Sequence, residues 1–241
     1  MRKHIFAAIV LTLAVAPVYF AQSVVITPKK ITYKRPKPLV DFKKTFTVTR
    51  PIVKASTPAL SRRIEAAISY EKVSDLNVKE ELTEIQWLEE ADFRVNYNKS
   101  GILDITNFIT GTGAYPSSYE RTVVIYTKTG VRVTPAAVFT DLAGLASKGK
   151  KAQEAEIKDG LAEIKKEDPD TENPENLFER ADFKIENLNH FSISDAGVTF
   201  IYDYGFPHAI QALQPAGRYF FTWKDIKHHV KTAGLFGRFV R

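Results

Sequence analysis

Residues 190–230 read HFSISDAGVTFIYDYGFPHAIQALQPAGRYFFTWKDIKHHV, and this stretch decides the fold class. It gives a strand, a tight turn, a second strand, a loop punctuated by proline and glycine, a third strand and a short capped helix. Thr222 to Asp225 supplies the cap and an acidic first turn for that helix. Strands joined by tight turns pair antiparallel by default.

The chain upstream repeats the pattern. Phe93, Val95 and Tyr97 alternate with Arg94 and Asn96, Asn98 to Gly101 is a turn, and Leu103, Ile105 and Ile109 continue on the return strand. A glycine-rich loop at 111–116 leads into a second hairpin, with strands near Tyr119 to Tyr126 and Val131 to Val133 around the turn TKTG. Helices frame these hairpins. Thr57 and Pro58 suit a helix start, and Leu60, Ile64 and Ile68 follow at four-residue spacing. Residues 70–88 combine helical charge content with a β-rich end and leave their type open. Residues 141–166 predict a long polar helix, and Gly144, Gly149 and Gly160 predict that it breaks in two. The sum is an α+β chain: an antiparallel sheet built from hairpins, with helices packed on one face.

The N-terminal residues form an address. Arg2, Lys3 and His4 precede an apolar run, Pro17 breaks it, and Ala21-Gln22-Ser23 offers small residues for cleavage, so residues 1–23 have the form of a signal peptide. An uncleaved anchor is the alternative, although the run is short for a bilayer that needs roughly 20 apolar residues. Export to the periplasm or the exterior is the expectation, with the cleaved chain not spanning the membrane. Residues 24–54 read as a basic, proline-rich linker or arm, with a strand possible from Phe42 through Phe46 to Val48. From 24 to 63 eleven basic residues face one acid, a net +10 within a chain of net +6. Such an arm suits contact with an anionic envelope polymer, or serves as a solvated linker; it carries no specific nucleic-acid motif. Residues 55–241 then form one α+β domain, with two packed halves (55–115 and 116–241) as the alternative.

The chain has no cysteine, which excludes disulfides, a thiol nucleophile and thiolate metal sites. No nucleophile elbow, zinc-protease, calcium-loop or phosphate-loop pattern is present, so neither a metal nor another cofactor is expected. His228 and His229 are adjacent, about 100° apart on a helix, and do not converge on one ion.

Three segments together are similar to a known family: TGTGAYP at 110–116, TKTGVRVTPAAVF at 127–139, and FSISDAGVTFIYDYGFPHAIQALQPAGRYFFTWKDI at 191–226. They resemble the extracytoplasmic domain of RsiV-type anti-sigma factors, also found in PdaC-type polysaccharide deacetylases. The resemblance is one of strands and turns over roughly residues 46–230. It implies an exported sheet-and-helix domain of largely unknown function without a catalytic centre of its own, and a lysozyme-like protein or peptidoglycan as partner. Neither a sigma-binding segment nor a deacetylase module is expected to accompany it.

The leading expectation is therefore a non-enzymatic binding or sensing domain, with no catalytic and no metal-binding residues. Its ligand surface is placed on the two Gly/Pro loops, 111–116 and 204–217, through Tyr115, Pro116, Tyr204, Phe206, Pro207 and His208. The alternative is an envelope glycan or peptide hydrolase using His208 as general base, with Asp203 or Asp195 to orient it. Seven aromatics between Tyr202 and Trp223 could stack on sugars, and strand alternation predicts that about half of them point inward.

Overall fold

The computed structural model describes residues 24–241, and of His208 and Ala209 the backbone only. The expected signal segment, 1–23, lies outside the described residues. The chain is α+β, as expected. In order, its elements are β1 (Val25–Lys34), β2 (Thr45–Lys54), α1 (Pro58–Ala67), α2 (Tyr70–Val73), α3 (Val78–Thr83), β3 (Leu88–Lys99), β4 (Ile102–Thr112), β5 (Pro116–Tyr126), β6 (Val131–Arg132), α4 (Pro135–Val138), α5 (Leu142–Glu167), β7 (Phe191–Ile193), β8 (Gly197–Ile201) and β9 (Arg218–Thr222).

Strands β1 to β6 form one sheet in sequence order, and β7 to β9 form a second. All pairs are antiparallel except β2–β3, which align Thr47 with Glu90 and Val48 with Ala91 in parallel. The turn between β3 and β4 is two residues long, and both Ser100 and Gly101 have positive φ (55° and 79°), as a tight hairpin matching the sheet's twist requires.

Residues 24–54 are not a linker. They build β1 and β2, which pair over their full length, and Phe46, Val48 and Val53 of β2 enter the core. The misleading signal has a physical origin. As the edge strand, β1 leaves most of its side chains exposed, and Pro28, Lys29, Lys30 and Lys34 are residues that keep a free edge from pairing with another chain. The border between the two halves at 115/116 does not separate them either, because β4 and β5 pair across it from Ile102↔Tyr126 to Thr112↔Pro116.

Strand β4 is buried on both faces over Ile102–Asn107. Leu103 and Ile105 pack with Ile64 of α1 and with Ile68 just after it; the start of α1 is capped by Thr57 accepting from Leu60 N at 3.1 Å. Ile102 points the other way, into the core shared with the second sheet and α5. The layers therefore run α1–α3, six-stranded sheet, three-stranded sheet, α5. The open segment 70–88 becomes two short helices and the start of β3.

Helix α5 is continuous over 26 residues despite its glycines, contrary to the expected break. At Gly149 a Cβ would lie 2.4 Å from the Phe183 ring, so the glycine lets that ring lie against the helix, and the contact offsets the propensity cost. The helix expected after Thr222 is absent. Thr222 and Asp225 make the expected reciprocal hydrogen bonds, but the chain forms a turn and a single 3-10 turn at Lys227–His229. Trp223 is held instead against Phe236 and Phe239, the latter stacked at 4.5 Å. Among the described residues no helix is long and apolar enough to cross a membrane.

Candidate functional site: a cleft between the two sheets

The sheets are joined where β7 meets β4. Asp104, fully buried on β4, accepts from Ser192 Oγ at 2.5 Å and Ile193 N at 2.7 Å on β7, and from Asn96 Nδ2 at 3.0 Å on β3. Thr106 and Thr122 extend this polar layer through a 2.8 Å hydroxyl pair. Burial pushes the Asp104 carboxyl up to about 6, and the three donors moderate the rise.

Beyond this junction a cleft of about 180 Å³ opens, lined by Glu120, Arg121, Thr122, Asn187, His190, Ile201 and Asp203. Its first wall is the mid-section of β5. Its second is the end of β8 with the segments on either side of β7–β8. Partial desolvation in the cleft, together with the nearby Arg121 and Arg132, lowers the His190 imidazole from its ordinary value, while the residue stays accessible to solvent; in its neutral form it can both donate and accept. Glu120 forms an ion pair with Arg218 of β9, which bridges the sheets. Phe220, two residues on and therefore on the same face of β9 as Arg218, is half exposed.

Of the residues expected to bind ligand, Tyr204 and Phe206 come together, Phe206 turned inward and Tyr204 half-buried beside it. Phe206 is buried, its ring centroid 5.1 Å from that of Phe178, in a cluster with Ile164 of α5. Tyr204 donates to Glu156 Oε2 at 2.9 Å and pairs with the Tyr219 hydroxyl at 2.8 Å; burial raises its phenol well above the ordinary value. The other oxygen of Glu156 accepts from Gly217 N at 3.0 Å, so one carboxylate of α5 clamps both ends of the loop. The expectation that Phe206 presents a recognition surface is thereby corrected: the loop folds its apolar residues onto α5. Pro207 is exposed. The backbone of His208 opens the 3-10 turn His208–Leu213, and its side chain lies outside the described residues.

Tyr115 and Pro116 stand on the other sheet, at the β4–β5 turn, where Tyr115 is exposed. The two acids weighed as partners of a base are apart in role. Asp203 accepts from Gly205 N at 3.0 Å and faces the cleft, whereas Asp195 is bound to Lys99 at 2.7 Å on the surface. His229 docks onto the start of α5, with Nδ1 at 3.3 Å from Asp141, whose other oxygen caps Gly144 N at 2.8 Å. Among the described residues no cluster of three or more acids and histidines could hold a metal.

Sequence reasoning missed the cleft itself. His190, Ile201 and Asp203 lie in the stretch that decides the fold, but Glu120, Arg121 and Thr122 come from a strand some 70 residues earlier. Only the stacking of the sheets joins them.

No protein-family model matches the chain, and no curated protein matches it in sequence. Solved structures do resemble it. A DUF3298 family member from Bacteroides fragilis superimposes with a TM-score of 0.53 at 13% identity, over 91% of this chain and 98% of that one. A DUF3298 family protein from Pseudomonas aeruginosa gives 0.56 at 12% identity, over 88% and 96%. DUF3298 is a family of unknown function, and at this identity the likeness is one of fold.

Proposed function

We propose that this chain is an exported, non-enzymatic binding domain of the cell envelope, and that a cell-wall glycan is the ligand of the inter-sheet cleft. One observation carries the reading: the cleft presents hydrogen-bonding groups of both signs, Glu120, Arg121, Asn187, His190 and Asp203, beside the apolar side chain of Ile201. Such a lining suits a sugar, with donors and acceptors to match its hydroxyls and amides and an apolar side chain for its C–H surface. Export rests on the form of residues 1–23, and the resemblance to the RsiV-type extracytoplasmic domain adds a lysozyme-like protein as a second ligand to measure.

The test is co-sedimentation with insoluble peptidoglycan, run beside capture on immobilised lysozyme. Retention on peptidoglycan that falls when Arg121 is replaced by Ala supports the glycan. Retention on lysozyme alone transfers the reading to a protein ligand. Sustained release of soluble fragments from peptidoglycan, lost in His190→Ala or Asp203→Asn, would replace binding by hydrolysis.

A further inference from the structure

At the end of the six-stranded sheet where β2 and β3 begin, apolar side chains stand in solvent. Leu39 and Phe42, in the loop between β1 and β2, are 71% and 70% exposed, Val40 is 42% exposed, and Ile85, just before β3, is 54% exposed. They are not on a loose loop. Arg35, 1% exposed, donates to four backbone carbonyls: Glu81 at 3.0 Å, Lys43 at 2.9 Å, Thr45 at 3.3 Å and Leu88 at 2.7 Å. Gln86, itself buried, accepts from Leu39 N at 2.8 Å and donates to the Lys37 carbonyl at 2.8 Å. Two buried polar side chains thus fix the backbone that holds Leu39 and Phe42 outward.

We propose that this loop docks the protein on an anionic lipid bilayer surface, with Leu39 and Phe42 entering the acyl boundary. Charge complementarity selects the occupant. Residues 34–44 carry five cations against Asp41, and Asp41 is itself paired with Lys44 at 3.1 Å. Lys34, Lys37 and Lys44 are exposed around the apolar tip, while Glu84 is the acid beside Ile85. A projecting apolar tip ringed by long ammonium side chains fits a layered partner, with hydrocarbon below and anionic headgroups above, to which lysines reach while their stems stay apolar. A soluble polyanion would use the lysines but give Leu39 and Phe42 nothing to enter. Fixing the loop beforehand lowers the ordering cost of insertion.

Because the chain has no cysteine, one introduced thiol can be labelled uniquely. The full-length chain is labelled with an environment-sensitive fluorophore at Leu39→Cys or, separately, at Val131→Cys. Val131 is exposed and pairs with Tyr126, at the other end of β5, about 33 Å from Pro116 at ~3.3 Å per residue. Both variants carry residues 1–23, so the difference between them reports the loop. With phosphatidylglycerol vesicles the label at 39 is expected to shift to the blue and the label at 131 to stay. Adding Phe42→Ser is expected to weaken binding at least about tenfold, and Lys34→Glu with Lys37→Glu about a hundredfold. The proposal is overturned by an unmoved label at 39, by equal shifts at both sites, by an equal response to phosphatidylcholine, by an equal shift with soluble polyglutamate, or by unchanged affinity in Phe42→Ser. Peptidoglycan binding through the cleft is a separate measurement, so either result stands without the other.

Discussion

Asp104 on β4 accepts a 2.5 Å hydrogen bond from Ser192 on β7, and through this pair the two sheets share one buried carboxylate. Desolvation makes the charged form costly, while three donors hold it in place. The geometry is therefore bought with a group whose protonation the fold itself favours.

The sign of the pH effect follows. The folded-state value is about 6 against 3.8 for the ordinary carboxylate, so the folded protein binds the extra proton between those limits. Stability from this group is greatest below about pH 4, falls as pH rises through about 6, and is flat above. The span is roughly 3 kcal/mol at 1.4 kcal/mol per pH unit. Urea unfolding at pH 4 to 7 should show that the difference between the native chain and Asp104→Asn varies in this window; a pH-independent difference would contradict it.

Removing the partner tests the same junction from the other side. Ser192→Ala leaves Asp104 with two donors and is expected to cost about 1–3 kcal/mol at pH 7, where the carboxylate is charged. The denaturant midpoint should fall with an unchanged slope.

Arg35 separates a linker from a built sheet edge. Replacing it by Ala leaves buried carbonyls of Glu81, Lys43 and Leu88 without their donor and Glu81 without its ion partner at 3.9 Å. The expected loss is about 3–5 kcal/mol, read by chemical denaturation. Arg35→Lys should recover little, because one ammonium cannot reproduce the guanidinium fork.

Gly149→Ala inverts the usual helix rule. In an exposed helix the change would stabilise by up to about 1 kcal/mol. Here the new Cβ meets the Phe183 ring, so a loss of about 1–3 kcal/mol is expected in thermal or urea unfolding.

His190 titrates against partial desolvation in the cleft and two neighbouring arginines, so its NMR titration should give a value below the ordinary 6.5. Since the folded value is lowered, its contribution to stability is present above about pH 6.5 and is lost as pH falls through the folded value. His190→Gln should flatten that loss.

Period-two alternation and turn residues were enough to place the hairpins of β3–β6 and of β7–β9, because each depends on neighbours in sequence. The N-cap at Thr57 and the apolar stripe Ile64–Ile68 were legible for the same reason. Strand β1 was not: an edge strand of lysines, threonines and a proline has the composition of a solvated arm, and only its pairing with β2 makes it structure. The inward turn of Phe206 was equally hidden, since an aromatic in a Pro/Gly loop has no periodicity to show which side it takes; α5, through Glu156 and Ile164, decides it. The sequence by itself determined an α+β chain of hairpins without cysteine chemistry, because those properties are local or compositional. Only the tertiary structure decided that Glu120 to Thr122 face His190 and Asp203 across a cleft. Contacts between residues some 70 positions apart depend on how two sheets stack, and no local pattern encodes that stacking.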